Sequence, residues 1–194
     1  GQRLPLAVVI LGSGPFSNFR REGDRIVDAH GTVRAAMKGK AQVLVVEKPG
    51  VEFLQQPSHG DEASLRGSPA FQAENTLSRW VEAVSAAVRA ARKLQQVDPR
   101  QTLLIGHSEG AVVAALVARQ NSFVTHVASL AGNGPPITFE LEIKAREGRL
   151  YPELAGDVAG QLKKLEADLS AIRRDPPSRS EEHTPELPAL AYLV

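Results

Sequence analysis

The sequence predicts an α/β protein, a three-layer sandwich in which helices flank a mainly parallel sheet. Three observations carry this expectation. Short runs rich in Val, Ile and Leu recur along the chain with helical patterns between them. Those runs are nearly continuous rather than alternating, as strands buried on both faces are. A strand, a glycine-bracketed turn and a helix also follow one another around Ser108.

Taken in order, residues 6–11 read as the first strand and 42–46 as the second. Leu77, Val81, Val84, Val88, Ala91 and Leu94 then repeat every three or four positions. They place one apolar stripe on a helix of about five turns. Asp98-Pro99 ends the connection and launches a strand over 102–105. Residues 109–120 give a helix that is apolar nearly all round, so it is expected to be well buried. A fourth strand covers 124–130. This β-α-β-α-β-α-β order calls for right-handed crossovers.

Beyond Leu130 the character changes. Residues 131–136 are a loop by composition, and 137–150 read as helical. Val158, Leu162, Leu165, Leu169 and Ile172 mark a charged amphipathic helix that stops before Pro176-Pro177. Two helices inserted after a central strand suit a lid that controls access and excludes water. A helical hairpin packed on the sheet, or on another subunit, fits the same pattern and leaves a homo-oligomer open. Residues 173–188, rich in charge and proline, read as a mobile loop, and 189–194 as the start of another strand. The expected division is a core over 1–136, a helical lid or cap over 137–175, and the loop with its strand over 176–194.

At 194 residues the chain is long enough for one domain with a substantial core. Hydrophobic residues at 42% and charged residues at 23% are ordinary for a globular protein. A net charge of +1 gives no electrostatic case for nucleic acid or an anionic membrane. The absence of cysteine removes a disulfide framework, a thiol nucleophile and a thiolate metal site. The five histidines are scattered without metal-ligand spacing, so neither metal nor cofactor is expected. The apolar run 4–11 is too short to span a bilayer, and no basic region precedes it as in a signal peptide. The expectation is a cytoplasmic protein acting on a small molecule.

The chemistry centres on Gly106-His107-Ser108-Glu109-Gly110, which fits Gly-x-Ser-x-Gly between a strand and a helix. That context makes a nucleophile elbow, in which a strained turn aims the serine hydroxyl out of the sheet edge. The bracketing glycines let strand and helix approach closely. A Gly-bracketed turn with an ordinary serine is the plainer alternative. A serine hydroxyl needs a base, an orienting acid and an oxyanion hole. Ser108 is the expected nucleophile, and the backbone N–H of Glu109 the first oxyanion donor. The second is expected from Gly12-Ser13-Gly14-Pro15 after the first strand: the Ser13 amide, with Gly14 as the neighbouring alternative. Such a loop also suits a phosphate, but it lacks the Walker lysine and dinucleotide spacing.

With Glu47-Lys48-Pro49-Gly50-Val51 and Ala131-Gly132-Asn133-Gly134-Pro135 after their strands, these segments resemble bacterial α/β-hydrolases. The resemblance runs roughly over 4–169, to the branch of dienelactone hydrolases and acyl-peptidase or esterase-like enzymes, and its specific part is the elbow. It implies the α/β-hydrolase fold, incomplete at its C-terminal end here, and ester, thioester or peptide acyl transfer through a covalent acyl-serine.

In that fold the acid and the histidine follow the nucleophile in chain order. The strands that would carry them are expected beyond Val194, so the sequence reads as a fragment of a longer hydrolase or a shortened, inactive relative. His30 and His59 precede Ser108, and His107 is the variable position of the elbow. His126 falls in a strand, where a packed or hydrogen-bonded core histidine is expected rather than a base. His183, near Asp175, Glu181 and Glu182, is the in-chain candidate for the base. Glu47 and Lys48 read as a surface pair at a strand end, with the pocket rim as the alternative.

Overall fold

The computed structural model describes residues 2–57, 66–132 and 137–174. Four parallel strands form the main sheet: β1 (Leu4–Ile10), β4 (Gln42–Val46), β5 (Val97–His107) and β6 (His126–Leu130), in the order β4-β1-β5-β6. β1 lies in the middle, pairing Leu6 with Gln42 on one side and with Thr102 on the other. Its residues from Leu6 to Ile10 are all buried, which explains its unbroken apolar character.

Helix α3 (Leu77–Ala91) and helix α4 (Glu109–Gln120) cover one face of the sheet. Trp80, Val81, Val84, Val88 and Ala91 meet Leu6, Val8, Ile10 and Leu104, with Val113, Ala114 and Val117 closing the cluster. Thr76 caps α3 by accepting from the Arg79 N–H. Ala7, Val9 and Ile105 are buried on the opposite face. Two short helices, α1 (Gly31–Met37) and α2 (Pro69–Glu74), are also present among the described residues of this part of the chain.

Several boundaries differ from the sequence expectation. β5 begins at Val97, through Asp98-Pro99 rather than after it. The pairing slips there, from Leu4 with Val97 to Leu6 with Thr102, so residues 98–101 bulge from the ladder. Asp98 fills the bulge by accepting from the Arg100 N–H and guanidinium. α3 ends at Ala91, and Leu94 is half exposed in the turn that follows. α4 is one-sided rather than buried all round, since Val112 is 42% exposed. β6 is an edge, with Val127 and Leu130 exposed among the described residues.

An antiparallel hairpin, β2 (Phe19–Glu22) with β3 (Arg25–Asp28), is an addition. Its Gly23-Asp24 turn takes a positive φ at Gly23, as hairpin turns do. Its strands carry Arg20, Arg21, Glu22 and Arg25 and show no apolar run.

The chain divides into two compact units, Gly1–Gly132 and Asn133–Val194. In the second, α5 (Ile137–Arg146) and α6 (Val158–Arg174) pack through Leu141, Ala145, Leu150, Tyr151 and Leu165. Gln161 is fully buried among them. Its Oε1 accepts from the N–H groups of Leu150 (2.9 Å) and Tyr151 (3.1 Å), and its Nε2 donates to the Leu154 carbonyl (3.0 Å). The expected loop and strand of 175–194 lie outside the described residues.

Candidate active site

β5 runs straight into α4 with one residue between them, Ser108, whose φ is 54° and ψ −123°. That left-handed φ is strained for any side chain and points to a special role at the turn. The turn is held on both sides: the Ser108 N–H donates to the Leu130 carbonyl (2.9 Å), and its carbonyl accepts from Ala111 (3.0 Å).

Packing around the turn excludes larger residues. A Cβ on Gly106 would overlap the Gly110 carbonyl and the Ala111 backbone. One on Gly110 would overlap the carbonyls of Ile10 and Leu11. The glycines of the pentapeptide thus seat the start of α4 directly on the end of β1, and Glu109 becomes the first helical residue. N–H groups in a first helical turn have no partner within the helix and suit a developing negative charge.

The loop after β1 arrives at the same place. Gly12 lies against Ser108, since a Cβ there would stand 3.0 Å from the Ser108 Cβ and 3.3 Å from the His107 carbonyl. Ser13 follows, half-buried, and Gly14 has a φ of 102° that turns the chain over the Phe16 ring. The structure therefore brings Ser108, Glu109 and the 12–14 loop together at the carboxyl ends of β1 and β5.

The end of β4 grips this loop at two points, and neither residue forms the expected surface pair. Lys48 is only 2% exposed, and its Nζ donates to the Gly12 carbonyl at 2.7 Å. It lies 4.9 Å from the Phe16 ring centre and 5.5 Å from that of Trp80. Burial pushes the Lys48 ammonium down to about 8, against the pull of the Glu109 and Glu47 carboxylates. Burial likewise raises Glu109, and Lys48 opposes it. Glu47 holds the far end of the loop: it accepts from the Ser17 hydroxyl, the Asn18 N–H and the Asn18 amide. Ser17 and Asn18 are themselves buried.

The sequence favoured a surface pair for Glu47 and Lys48, with the pocket rim as the alternative, and did not single out Ser17 or Asn18. The available signal was positional, because ligand sites of parallel sheets gather at strand carboxyl ends, where 47–48 sit.

The histidines fall as follows. His107 is exposed, with its ring 6.1 Å from that of His30. Burial lowers His30, His107 lowers it further, and Asp28 opposes both. His30 Nε2 is buried without a partner among the described residues. His126 is exposed on the edge strand rather than in the core as expected, and its Nδ1 shares a hydrogen bond with the Thr125 hydroxyl (3.0 Å). His59 and His183 lie outside the described residues. No group of three or more His, Asp or Glu among the described residues could hold a metal. No described helix is long and apolar enough to cross a membrane.

No protein-family model matches the sequence, and no curated protein matches it. Solved structures do. The chain is similar to acetyl xylan esterase 1 from Thermoanaerobacterium sp. JW/SL YS485, with a TM-score of 0.50 and 12% identity over 100% of this chain and 54% of that one. It is also similar to the α/β hydrolase GrgF from Penicillium sp. sh18, with a TM-score of 0.48 and 16% identity over 90% of this chain and 59% of that one. A third is esterase B from Lactobacillus rhamnosis, with a TM-score of 0.43 and 17% identity over 88% and 49% of the two chains. The chain spans about half the length of these proteins. At such identities the likeness speaks to architecture alone. A parallel sheet with helices against it, and an esterase neighbour aligned over the whole chain, together give this protein the α/β-hydrolase fold.

Proposed function

We propose that this protein belongs to a serine acyl hydrolase acting on a small ester, thioester or peptide-like acyl bond. The observation that carries the reading is the strained Ser108 backbone at the strand–helix junction. An ordinary turn would relax such a φ, whereas an elbow uses it to present the hydroxyl.

In this reading Ser108 Oγ attacks the acyl carbon and the carbonyl oxygen becomes an oxyanion. The Ser13 and Glu109 N–H groups receive that charge. Collapse expels the alcohol, thiol or amine, which receives from the base the proton taken from Ser108 Oγ, and leaves an acyl-serine that water then cleaves to the free acid and Ser108. The base and acid are read as lying later in the chain order, with His183 as the candidate base in this sequence. Transfer to an alcohol or amine uses the same residues and differs only in the acceptor.

Turnover of a p-nitrophenyl ester by wild type and Ser108→Ala tests the assignment. Loss of at least about a thousandfold is expected for the variant. Equal turnover in both would remove Ser108 as nucleophile. A folded wild type without turnover would favour a binding module that keeps the fold.

A further inference from the structure

We propose that Lys48 is a positioning residue that aims and polarises the Ser13 N–H through the Gly12 carbonyl, an inference that rests on the acyl-transfer reading of Ser108. The Gly12 carbonyl and the Ser13 N–H belong to one planar trans peptide, so they point in opposite directions. Whatever fixes the carbonyl therefore fixes the N–H. Lys48 Nζ does this at 2.7 Å from a position 36 residues away in sequence.

The Ser13 N–H itself has no acceptor among the described residues, while the rest of its loop is tied down. The Ser17 N–H donates to the Gln55 carbonyl, and Asn18 is held by Glu47. Gly12, whose carbonyl Lys48 grips, is the residue lying against Ser108. An open N–H on the residue after that contact, on a peptide whose other face is anchored, has the form of an oxyanion donor.

Packing does not explain the charge. Lys48 is 2% exposed, and a methionine would fill the same space without the desolvation cost of an ammonium. The cation contributes something a methionine cannot. A charged donor on a carbonyl withdraws electron density through the amide, so the N–H at its far end becomes a stronger donor. Glu109 and the Phe16 and Trp80 rings keep the ammonium tolerable in that setting.

The test uses the full chain, labelled with ¹⁵N, as wild type, Lys48→Met and Lys48→Arg, with Ser108→Ala as the labelling blank. Two quantities are read: the rate of Ser108 labelling by a fluorophosphonate and the position of the Ser13 amide resonance. Lys48→Met is expected to slow labelling at least about tenfold and to displace the Ser13 resonance. Lys48→Arg should recover part of the rate. Labelling at the wild-type rate, or a Ser13 resonance that stays in place, overturns the proposal. If Lys48→Met does not fold, Lys48→Arg decides, because a changed donor geometry must move the Ser13 resonance. If wild-type Ser108 takes no label, the acyl-transfer reading fails, and the Ser13 resonance alone decides the role of Lys48.

Discussion

At the residue scale, Ser108 and Lys48 each carry a cost. A side chain held at φ 54° and ψ −123° typically stores about 1–3 kcal/mol, which glycine would release. Ser108→Gly should therefore be more stable than Ser108→Ala by about 1 kcal/mol in urea unfolding, although both lose the hydroxyl. Equal stability would mean the backbone is not strained. Lys48 carries its cost through protonation. Below about pH 8 the ammonium is charged in the folded and unfolded chains alike. Between about 8 and 10.5 the unfolded chain binds the extra proton, so stability rises with pH across that window. Its full extent is about 3 kcal/mol. Tyr151, raised by burial and by Asp168, acts in the opposite sense above its ordinary value of 10.0. Urea midpoints between pH 8 and 9.5 thus isolate Lys48: they should climb for wild type and stay flatter for Lys48→Met.

At the scale of elements, the junction of β5 and α4 depends on close backbone contact. Gly110→Ala places a methyl group against the carbonyls of Ile10 and Leu11, and backbone cannot yield as a flexible side chain can. A loss of about 2–3 kcal/mol in urea unfolding is expected, with β1 and α4 pushed apart. In the helical pair, Gln161 serves three backbone groups from one buried side chain. Gln161→Leu leaves the Leu150 and Tyr151 N–H groups unpaired, at about 2 kcal/mol. Hydrogen exchange at those two amides should accelerate by at least about tenfold, while α4 amides keep their protection. The elements that the sequence revealed are those with a strong apolar rhythm, such as β1 and α3. The β2–β3 hairpin was hidden because its strands are short and rich in charge. β5 extended past Asp98-Pro99 because Asp98 satisfies a bulge locally, an arrangement that turn composition does not distinguish from a break.

At the scale of the whole molecule, a parallel sheet with helices against it was legible from unbroken Val, Ile and Leu runs, since both faces of β1 demand apolar residues. The centre of the candidate site was legible for a related reason: Gly106 and Gly110 are dictated by backbone contacts that permit nothing larger. Lys48 and Glu47 were not, because a lysine and a glutamate at a strand end look like a solvated pair until the topology closes over the lysine. Chain order hid the relation further, since Lys48 meets Gly12 across 36 positions. In the proposed acyl-transfer reading, this fold presents Ser108 as an activated nucleophile. Incubating the protein with a fluorophosphonate and locating the adduct by peptide mass spectrometry tests it directly. A single adduct on Ser108, lost in Ser108→Ala and after heat unfolding, is the predicted result. A folded protein that takes no label, or takes it on another residue, would contradict it.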